Sequence, residues 1–382
     1  MDLIASSVGS IYNLVVMTIL PFLFVLTVII FIHEMGHFLV ARWCKVKVDV
    51  FSVGFGQEIA GFTDKKGTRW KLGWIPLGGY VKFAGDMSAA STPDREAIEE
   101  MPADEREGTF HNKSLGQRAA VVAAGPAANF LLSIAIFALT VMLIGRVVTL
   151  PQVDEIRPNS AAAEAGFQVG DLITSIDDTE VEDFSDLQRI VATSGGATMT
   201  FKVKRDGKEV TLRATPKYQE MNDGFGNKVR RALLGISRKS RDDRVLEKYG
   251  PVKAVGYGVE QTWFIINSTL KYLYGVVAGR EDASQLGGPI RIAEMSGQVA
   301  TFGFAALMNW AALLSVSIGL INLFPIPMLD GGHLLYYGIE AVRGKPLSAK
   351  MQDFGFRVGL AFVLLLMLFA TYNDIRPKID IF

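Results

Sequence analysis

The sequence has 382 residues, with 39 basic and 39 acidic side chains and a formal net charge of zero. This balance excludes a basic nucleic-acid-binding protein. A hydrophobic content of 49% and a mean hydropathy of +0.27 indicate a membrane protein with one soluble insert. The single cysteine, Cys44, excludes an internal disulfide and a cysteine-rich zinc site. The nitrogen ligands available to a metal are His33, His37, His111 and His333.

The first predicted element is a membrane-spanning helix, about Ile11–Trp43, that carries a metal-binding motif. Positions 11 to 32 hold no charge, and at about 1.5 Å per residue this run crosses a hydrocarbon core of about 30 Å. In the H-E-x-x-H motif that follows, His33 and His37 lie one turn apart on one face, and Glu34 is free to handle a proton. Because no Lys or Arg precedes Arg42, we expect no cleaved signal peptide.

A β-rich cytoplasmic region is predicted between the first and second spans. Val46–Phe83 is rich in β-forming residues, glycine and aromatics, with a turn at Asp64–Gly67. Pro76 and the glycines after it interrupt a regular ladder and indicate a sheet edge. The acidic segment Ser88–Gly108 is predicted to be mobile.

Three further spans are predicted from long apolar runs. They are about Ala119–Ile144, Phe302–Phe324 and Val358–Tyr372, the last extended by Phe354–Arg357. Short loops rich in Lys and Arg precede the second and fourth spans, so both loops should be cytoplasmic. The two termini and the long segment 146–301 are then expected on the outside.

A compact α+β domain is predicted in the outside segment, at about Leu150–Pro216. A small-residue helix ends at a glycine, a Gly170-Asp171 turn follows, and an alternating strand comes next. A second helix fits Phe184–Val191, and a hairpin turns at Asp206-Gly207. This pattern resembles a PDZ domain, which implies that a peptide could add to the edge of its sheet.

Polarity and spacing also give predictions for the rest of the outside segment. Tyr218–Arg244 is polar and charged, which is typical of a linker or peripheral loop. Val252–Val277 is apolar at near-helical spacing, and two arrangements fit it: a helix packed on the outside domain, or a helix lying on the membrane surface. Glu260 and Lys271 disfavour a fifth span.

A catalytic zinc site needs a third protein ligand besides His33 and His37. Asp330 is our candidate, because two prolines in Asn322–His333 should end the third span and two glycines allow a sharp turn there. At about 1.5 Å per residue, both polar clusters fall near the cytoplasmic ends of their spans, at matching depth. His333 is a rival third ligand.

Two asparagines in the spans have structural explanations. Asn322 could hydrogen-bond the backbone that the prolines free. Gly125-Pro-Ala-Ala-Asn129 has small residues at a spacing that permits close helix packing. Packing alone is our interpretation of this second motif.

These motifs closely resemble those of a bacterial site-2 protease of the regulator-of-sigma-E type, an intramembrane zinc metalloprotease of peptidase family M50. The matching segments cover nearly the whole chain in the family's order: His33–His37, Gly125–Asn129, Leu286–Ile290 and Asn322–His333. The resemblance implies that one zinc ion is bound by His33, His37 and Asp330. It also implies that Glu34 is the catalytic acid/base and that Asn322 holds the substrate or the oxyanion.

The same resemblance implies a role in substrate binding for the β region. Val46–Phe83 would present an edge, with candidate residues Gly78, Gly79 and Tyr80, to an unwound substrate helix. The best-known members of this type carry two tandem PDZ domains, whereas this chain has room for one. Joint control of substrate access by two such domains is therefore in doubt here.

The fold class implied is membrane α-helical, with four transmembrane helices, a membrane-associated β region and an inserted α+β PDZ-like domain. The predicted organisation is 1–44, first transmembrane helix with H-E-x-x-H; 45–117, cytoplasmic or membrane-associated β region and mobile acidic loop; 118–147, second helix; 148–216, periplasmic PDZ domain; 217–300, periplasmic linker and amphipathic surface helices; 301–334, third helix; and 335–382, cytoplasmic loop and fourth helix.

The implied activity is hydrolysis of peptide bonds within or near the transmembrane segments of single-span membrane proteins. Anti-sigma factors or remnant signal peptides, trimmed beforehand, would be the substrates, in regulated intramembrane proteolysis and stress response at the bacterial inner membrane. The other expected partners are the lipid bilayer and a peptide at the PDZ groove. No nucleic-acid partner is expected. Two alternatives stay open: an inactive PDZ-bearing membrane adaptor, which an intact Glu34 disfavours, and a membrane-anchored zinc peptidase acting on soluble proteins.

Overall fold

The structure, a computed structural model, describes residues 13–86, 100–222, 228–238, 244–283 and 286–379. The helices are α1 (Leu20–Trp43), α2 (Ala103–Glu107), α3 (Leu115–Leu143), α4 (Ala161–Glu164), α5 (Phe184–Ala192), α6 (Pro251–Val277), α7 (Pro289–Ala300), α8 (Phe304–Asn322), α9 (Asp330–Arg343) and α10 (Ala349–Ile379). The strands are β1 (Val48–Thr63), β2 (Arg69–Phe83), β3 (Arg146–Thr149), β4 (Glu155–Ile156), β5 (Leu172–Ile176), β6 (Thr179–Glu180), β7 (Met199–Arg205), β8 (Lys208–Ala214), β9 (Lys217–Asn222), β10 (Lys228–Leu233), β11 (Ile236–Ser237) and β12 (Arg244–Glu247).

The chain folds into two compact units. Unit 1 comprises Met1–Ala138, Val255–Thr269 and Ala283–Phe382, and unit 2 comprises Leu139–Ala254 and Leu270–Asp282. Most of the acidic segment predicted to be mobile, namely residues 88–99, lies outside the described residues, as does the predicted start of the first span at Ile11. The remainder of that acidic segment contains the short helix α2.

Four apolar helices are long enough to cross a membrane, which confirms the predicted spans. The membrane-length segments in the described part of the chain are Val15–Trp43, Leu115–Leu143, Phe304–Asn322 and Lys350–Arg376. The fourth helix is longer than its apolar run because polar turns extend it at both ends. The protein is therefore a membrane protein.

Close packing of α1 against its neighbours builds the core of unit 1. Val25 and Ile29 of α1 are buried against Leu307 and Ala311 of α8. Gly36 of α1 faces α3 so closely that a Cβ there would lie 2.3 Å from the Ala124 carbonyl oxygen. Only glycine permits this approach, which brings the H-E-x-x-H turn directly onto the second span.

Helix α6 makes a contact that neither predicted arrangement anticipated. A Cβ at Gly258 would lie 2.5 Å from the Ile134 carbonyl oxygen of α3. Thr262 Oγ1 lies 3.5 Å from Ser133 Oγ of the same helix. The middle of α6 therefore packs on the second span. The apolar spacing did not reveal this because the close approach depends on a missing side chain, at Gly258.

The β1–β2 hairpin forms a curved sheet beside α1. Residues 50–53 pair with 69–72 on one side and with 79–82 on the other. The hairpin turns where predicted, with the Gly67 N–H donating to the Asp64 carbonyl at 3.0 Å. Residues 79–83 have a strand on one side only in the described part of the chain, so this segment is the sheet edge that the sequence indicated.

Unit 2 contains a sheet and helices in the region predicted to be an α+β domain, and its buried core extends past residue 216 to Leu234. Its sheet is antiparallel in the order β6-β5-β7-β8, and its buried core includes Ile173, Leu187 and Phe201. The hairpin turns at the predicted Asp206-Gly207, because Arg205 pairs with Lys208.

A buried ion pair joins the Gly-Asp turn to this sheet. The Arg205 guanidinium donates to both carboxylate oxygens of Asp171 at 2.7 Å. Burial alone would raise the pKa of Asp171, but hydrogen bonds from Arg205 and from the Gln168 N–H outweigh it and hold the pKa below its usual value.

The prediction of a linker or peripheral loop at Tyr218–Arg244 is wrong for the described part of that segment. β9 pairs with β10, β11 pairs with β4, and β12, which begins at Arg244, pairs with β3. Ala232 and Leu234 are buried within this charged run. Strands β9 and β10 carry many charged and polar residues without a regular apolar alternation, so composition did not reveal the strand pattern.

Candidate metal centre and active site

Helix α3 positions both histidines of α1. The His37 Nδ1–H donates to the Val121 carbonyl at 2.9 Å, which leaves Nε2 with a free lone pair. A Cβ at Gly125 would lie 2.3 Å from His37 Nε2, so only glycine leaves room for the ring. His33 is buried one turn earlier, with its Nε2 3.2 Å from His37 Nε2.

A tight turn after α8 delivers Asp330 to these histidines. The backbone at Met328 has a positive φ of 93°, and Asp330 then begins α9. Cβ atoms at Gly331 and Gly332 would lie 2.2 and 2.4 Å from the carbonyl oxygens of Phe324 and Ile326. The Asp-Gly-Gly sequence is therefore a steric requirement of the turn.

The three donor groups have the spacing of a zinc site. His33 Nε2 and His37 Nε2 lie 3.2 and 3.5 Å from the Asp330 carboxylate oxygens. Zinc–nitrogen and zinc–oxygen bonds of about 2.0–2.1 Å in a tetrahedron place neighbouring ligand atoms about 3.3 Å apart. The two Nε2 atoms lie 3.2 Å apart, close enough for both to bind one zinc ion through their lone pairs. The donor set therefore fits zinc, with a fourth position left for water or substrate.

The rival ligand His333 is not part of this cluster. Among the described residues, the group of three donors within 4.8 Å of one another is His33, His37 and Asp330. His333 lines the adjoining cavity instead. His111 pairs with the buried Asp86, its Nε2 lying 2.9 Å from the carboxylate.

A cavity of about 420 Å³ opens beside the donors. Glu34 and Asn322 both line it, together with the metal-binding side chains. The predicted acid/base and the predicted oxyanion group therefore face one space with the metal site.

The free edge of the β1–β2 sheet forms one wall of this cavity. Gly78, Gly79 and Tyr80 all line it. A Cβ at Gly79 would lie 3.0 Å from Glu34 Cγ and 2.9 Å from Ile30 Cγ2. The sheet edge thus lies against α1 beside Glu34 because position 79 has no side chain.

Asn129 contacts the metal site, which the sequence analysis missed. It is fully buried, and its side-chain amide lies 3.2 Å from His33 Nδ1. Packing is part of its role, since Ser315 Oγ of α8 donates to the Asn129 carbonyl at 2.9 Å. The available signal was spacing: Gly125 and Asn129 are four residues apart, like the histidines that they face.

The fold and this site define a membrane protein with a zinc centre of the metallopeptidase type. The model of peptidase family M50 matches residues 21–366, so the chain belongs to this family.

Named relatives agree with this assignment. A protein of Mesorhizobium japonicum, named as a candidate zinc metalloprotease, is 50% identical over 360 residues, 94% of this chain and 98% of its own. One of Agrobacterium fabrum with the same kind of name is 50% identical over 363 residues, 94% of this chain and 96% of its own. Metalloprotease MmpA of Caulobacter vibrioides is 39% identical over 382 residues, 94% of this chain and 95% of its own. The protein is therefore a membrane-bound zinc metalloprotease.

Proposed function

We propose that this protein is a site-2-type protease that hydrolyses peptide bonds within or near the membrane-spanning segments of its substrates. One observation carries the proposal: the zinc donors come from an apolar helix of membrane length, α1, and from the turn that ends another, α8. A peptidase for soluble substrates has no need to build its metal site from spanning helices.

Each cavity-lining group has a chemical task in this proposal. When bound, zinc would polarise the scissile carbonyl and acidify a water molecule. Glu34 would take the proton of that water and pass it to the leaving amine. The Asn322 amide would donate a hydrogen bond to the developing oxyanion.

The sheet edge would hold the substrate. A helical substrate has its carbonyls tied up in hydrogen bonds, so it must unwind before its backbone can be attacked. The edge at Gly78–Tyr80 offers backbone partners to an extended strand, and its place in the cavity wall puts that strand beside Glu34. The glycines at this edge have no side chains that could keep a substrate strand from pairing with its backbone.

We propose single-span membrane proteins as the substrate class. Anti-sigma factors or remnant signal peptides, already trimmed outside the membrane, suit a cavity that accepts one unwound strand. Cleavage would then be the second step of regulated intramembrane proteolysis in a stress response. The edge and the cavity support an extended chain as ligand, and the resemblance supports the identity of the substrates.

We further propose a location and an orientation. The protein would lie in the bacterial inner membrane, with its active site near the cytoplasmic side and with both termini and the PDZ domain in the periplasm. The distribution of Lys and Arg in the short loops supports this orientation.

Unit 2 would contain a PDZ domain. The antiparallel order β6-β5-β7-β8, with helix α5 packed on the core through Leu187, supports this proposal. A peptide would bind there by adding to a sheet edge.

A cleavage assay in detergent, with a model single-span substrate, tests the proposal. The wild type should cleave it, and a zinc chelator should abolish cleavage. Glu34→Gln should lower the rate by about 10²–10⁴-fold with zinc still bound, because a glutamine cannot accept the proton. The control is Glu209→Gln, an exposed change in unit 2, which should leave the rate unchanged.

Two results would contradict the proposal. Wild-type turnover by Glu34→Gln would remove Glu34 from the chemistry. Cleavage of an unstructured soluble protein, but not of the single-span substrate, would favour the membrane-anchored peptidase that the sequence analysis left open.

A further inference from the structure

The side-chain amide of Asn129 is enclosed between the metal site and the third span. The residue is fully buried, and its amide lies 3.2 Å from His33 Nδ1. A Cβ at Gly319 of α8 would lie 3.1 Å from the Asn129 Cβ. The asparagine therefore touches the ring of a metal ligand from the side opposite to its zinc-binding nitrogen.

The metal decides which nitrogen of His33 carries the proton. Nε2 faces His37 and Asp330, so it must offer its lone pair to zinc. The proton of the neutral ring then lies on Nδ1, which becomes a hydrogen-bond donor. Its neighbour must accept that hydrogen bond, and the acceptor atom of an asparagine side chain is Oδ1.

When His33 binds zinc through Nε2, the Asn129 amide oxygen, and not its nitrogen, must therefore face Nδ1. The structure places the amide nitrogen nearer to Nδ1 and leaves Oδ1 buried without a hydrogen-bond partner in the described part of the chain. Nothing else described holds the oxygen, so His33 alone sets the orientation of the amide. A half-turn of the amide exchanges the oxygen and nitrogen within the same volume.

We propose that Asn129 is a positioning residue of the zinc centre: its amide oxygen accepts the Nδ1 proton of His33 and fixes the tautomer that binds zinc through Nε2. Val121 does the same for His37 through its carbonyl oxygen. Helix α3 thus supplies an outer hydrogen bond to each histidine of α1. Such bonds orient the ring and raise its basicity as a ligand.

Zinc affinity of the purified protein, measured by chelator competition, tests the proposal. Asn129→Ala should weaken zinc binding by about 10–100-fold. Asn129→Asp should stay within about threefold of the wild type or bind more tightly, because a carboxylate can only accept the Nδ1 proton. Ser133→Ala is the matched control, since Ser133 is buried on the same helix and donates to the Ala312 carbonyl at 3.0 Å, away from the metal. This control should keep wild-type zinc affinity.

Asn129→Asp separates an accepting role from a donating one, and Asn129→Ala separates it from space filling. If Asn129 donated to His33, the aspartate would face a bare Nδ1 and zinc binding would be lost. If Asn129 only filled space, the alanine variant, once shown to fold by the thermal unfolding of its metal-free form, would bind zinc like the wild type. Either result overturns the proposal. Should the alanine variant not fold, Asn129→Leu takes its place, because leucine fills a similar volume but has no acceptor and should weaken zinc binding by the same factor of about 10–100.

A second measurement uses the small number of histidines. In NMR spectra of protein with ¹⁵N-labelled histidine, only four rings contribute signals. The zinc-loaded wild type should show an Nδ1 proton on His33 that exchanges slowly with solvent. In Asn129→Ala this proton should exchange faster. The proposal rests on zinc binding by His33, His37 and Asp330, and both readouts are independent of proteolysis. A failure of the proposed cleavage activity would therefore leave this test intact.

Discussion

Missing side chains set the distances in the active site. Gly36 lets α1 approach α3, Gly125 makes room for the His37 ring, and Gly79 brings the sheet edge to Glu34. In each case a single Cβ would lie 3.0 Å or less from its neighbour, which real Cβ atoms avoid. The catalytic geometry thus depends as much on these three glycines as on the polar residues that they bring together.

Alanine substitutions should show whether Asp330 or His333 is the third zinc ligand. Asp330→Ala deletes one of three donors, so zinc affinity should fall by more than the roughly 10–100-fold lost when a residue that only hydrogen-bonds a metal ligand is removed. His333→Ala is the matched control and should retain zinc, because His333 lies in the cavity but outside the donor group. Elemental analysis after dialysis against a chelator measures both. If Asp330→Ala retained zinc and His333→Ala lost it, His333 would be the third ligand instead of Asp330.

At the scale of elements, buried polar groups fasten the helices of unit 1 to each other. Asp374 of α10 is buried and caps the first turn of α7, accepting from the Gly288 N–H at 2.8 Å and from the Arg291 N–H at 3.0 Å. Asn373 beside it donates to the Ala283 carbonyl at 3.0 Å. Helix α7 has no cap of its own, since Gly288 precedes it, so a carboxylate from another helix satisfies its free N–H groups.

Loss of this cap should destabilise the protein measurably. Asp374→Ala leaves two backbone donors of α7 without their acceptor, which should lower the free energy of unfolding by about 1–3 kcal/mol. Asp353→Ala on the same helix is the control, because the Asp353–Arg357 pair is largely exposed and should contribute within about 0.5 kcal/mol. Thermal unfolding in detergent reports the difference. Equal shifts in the two variants would mean that the cap contributes no more than a surface ion pair.

For the whole molecule, the proposed membrane orientation is open to a direct test by cysteine labelling. The single natural cysteine, Cys44, can be replaced by Ser, and one cysteine can then be introduced at an exposed site of either unit. Lys65→Cys lies at the hairpin turn of unit 1 and Glu209→Cys in the sheet of unit 2, and both positions are exposed.

A membrane-impermeant maleimide should label position 209 in spheroplasts and position 65 in inverted vesicles only. This outcome follows if the Lys- and Arg-rich loops stay on the cytoplasmic side. Labelling after detergent lysis is the control for reactivity at each site. The opposite pattern would reverse the orientation and place the active site near the outer face, and labelling of both positions from one side would contradict the predicted topology.

The sequence alone determined the features that depend on local spacing. The four spans follow from uninterrupted apolar runs, the two histidines share a face because they are four residues apart, and the turns at Asp64–Gly67 and Asp206-Gly207 follow from glycine and aspartate at defined positions. Asp330 could also be predicted as the third ligand, because the prolines and glycines around it indicated that the helix ends there, at the same membrane depth as the two histidines.

Tertiary structure decided which helix faces meet. The contact of Asn129 with His33, the packing of α6 on α3 and the exclusion of His333 from the donor group depend on how helices rotate and how closely they approach. Those quantities come from side chains, or their absence, on several distant segments at once, and a periodic pattern on one segment does not contain them. Two of the strands missed between 217 and 247 were missed for a related reason, because β11 and β12 pair with β4 and β3, far earlier in the chain. The other two, β9 and β10, pair with each other, but their many charged and polar residues are also typical of a loop.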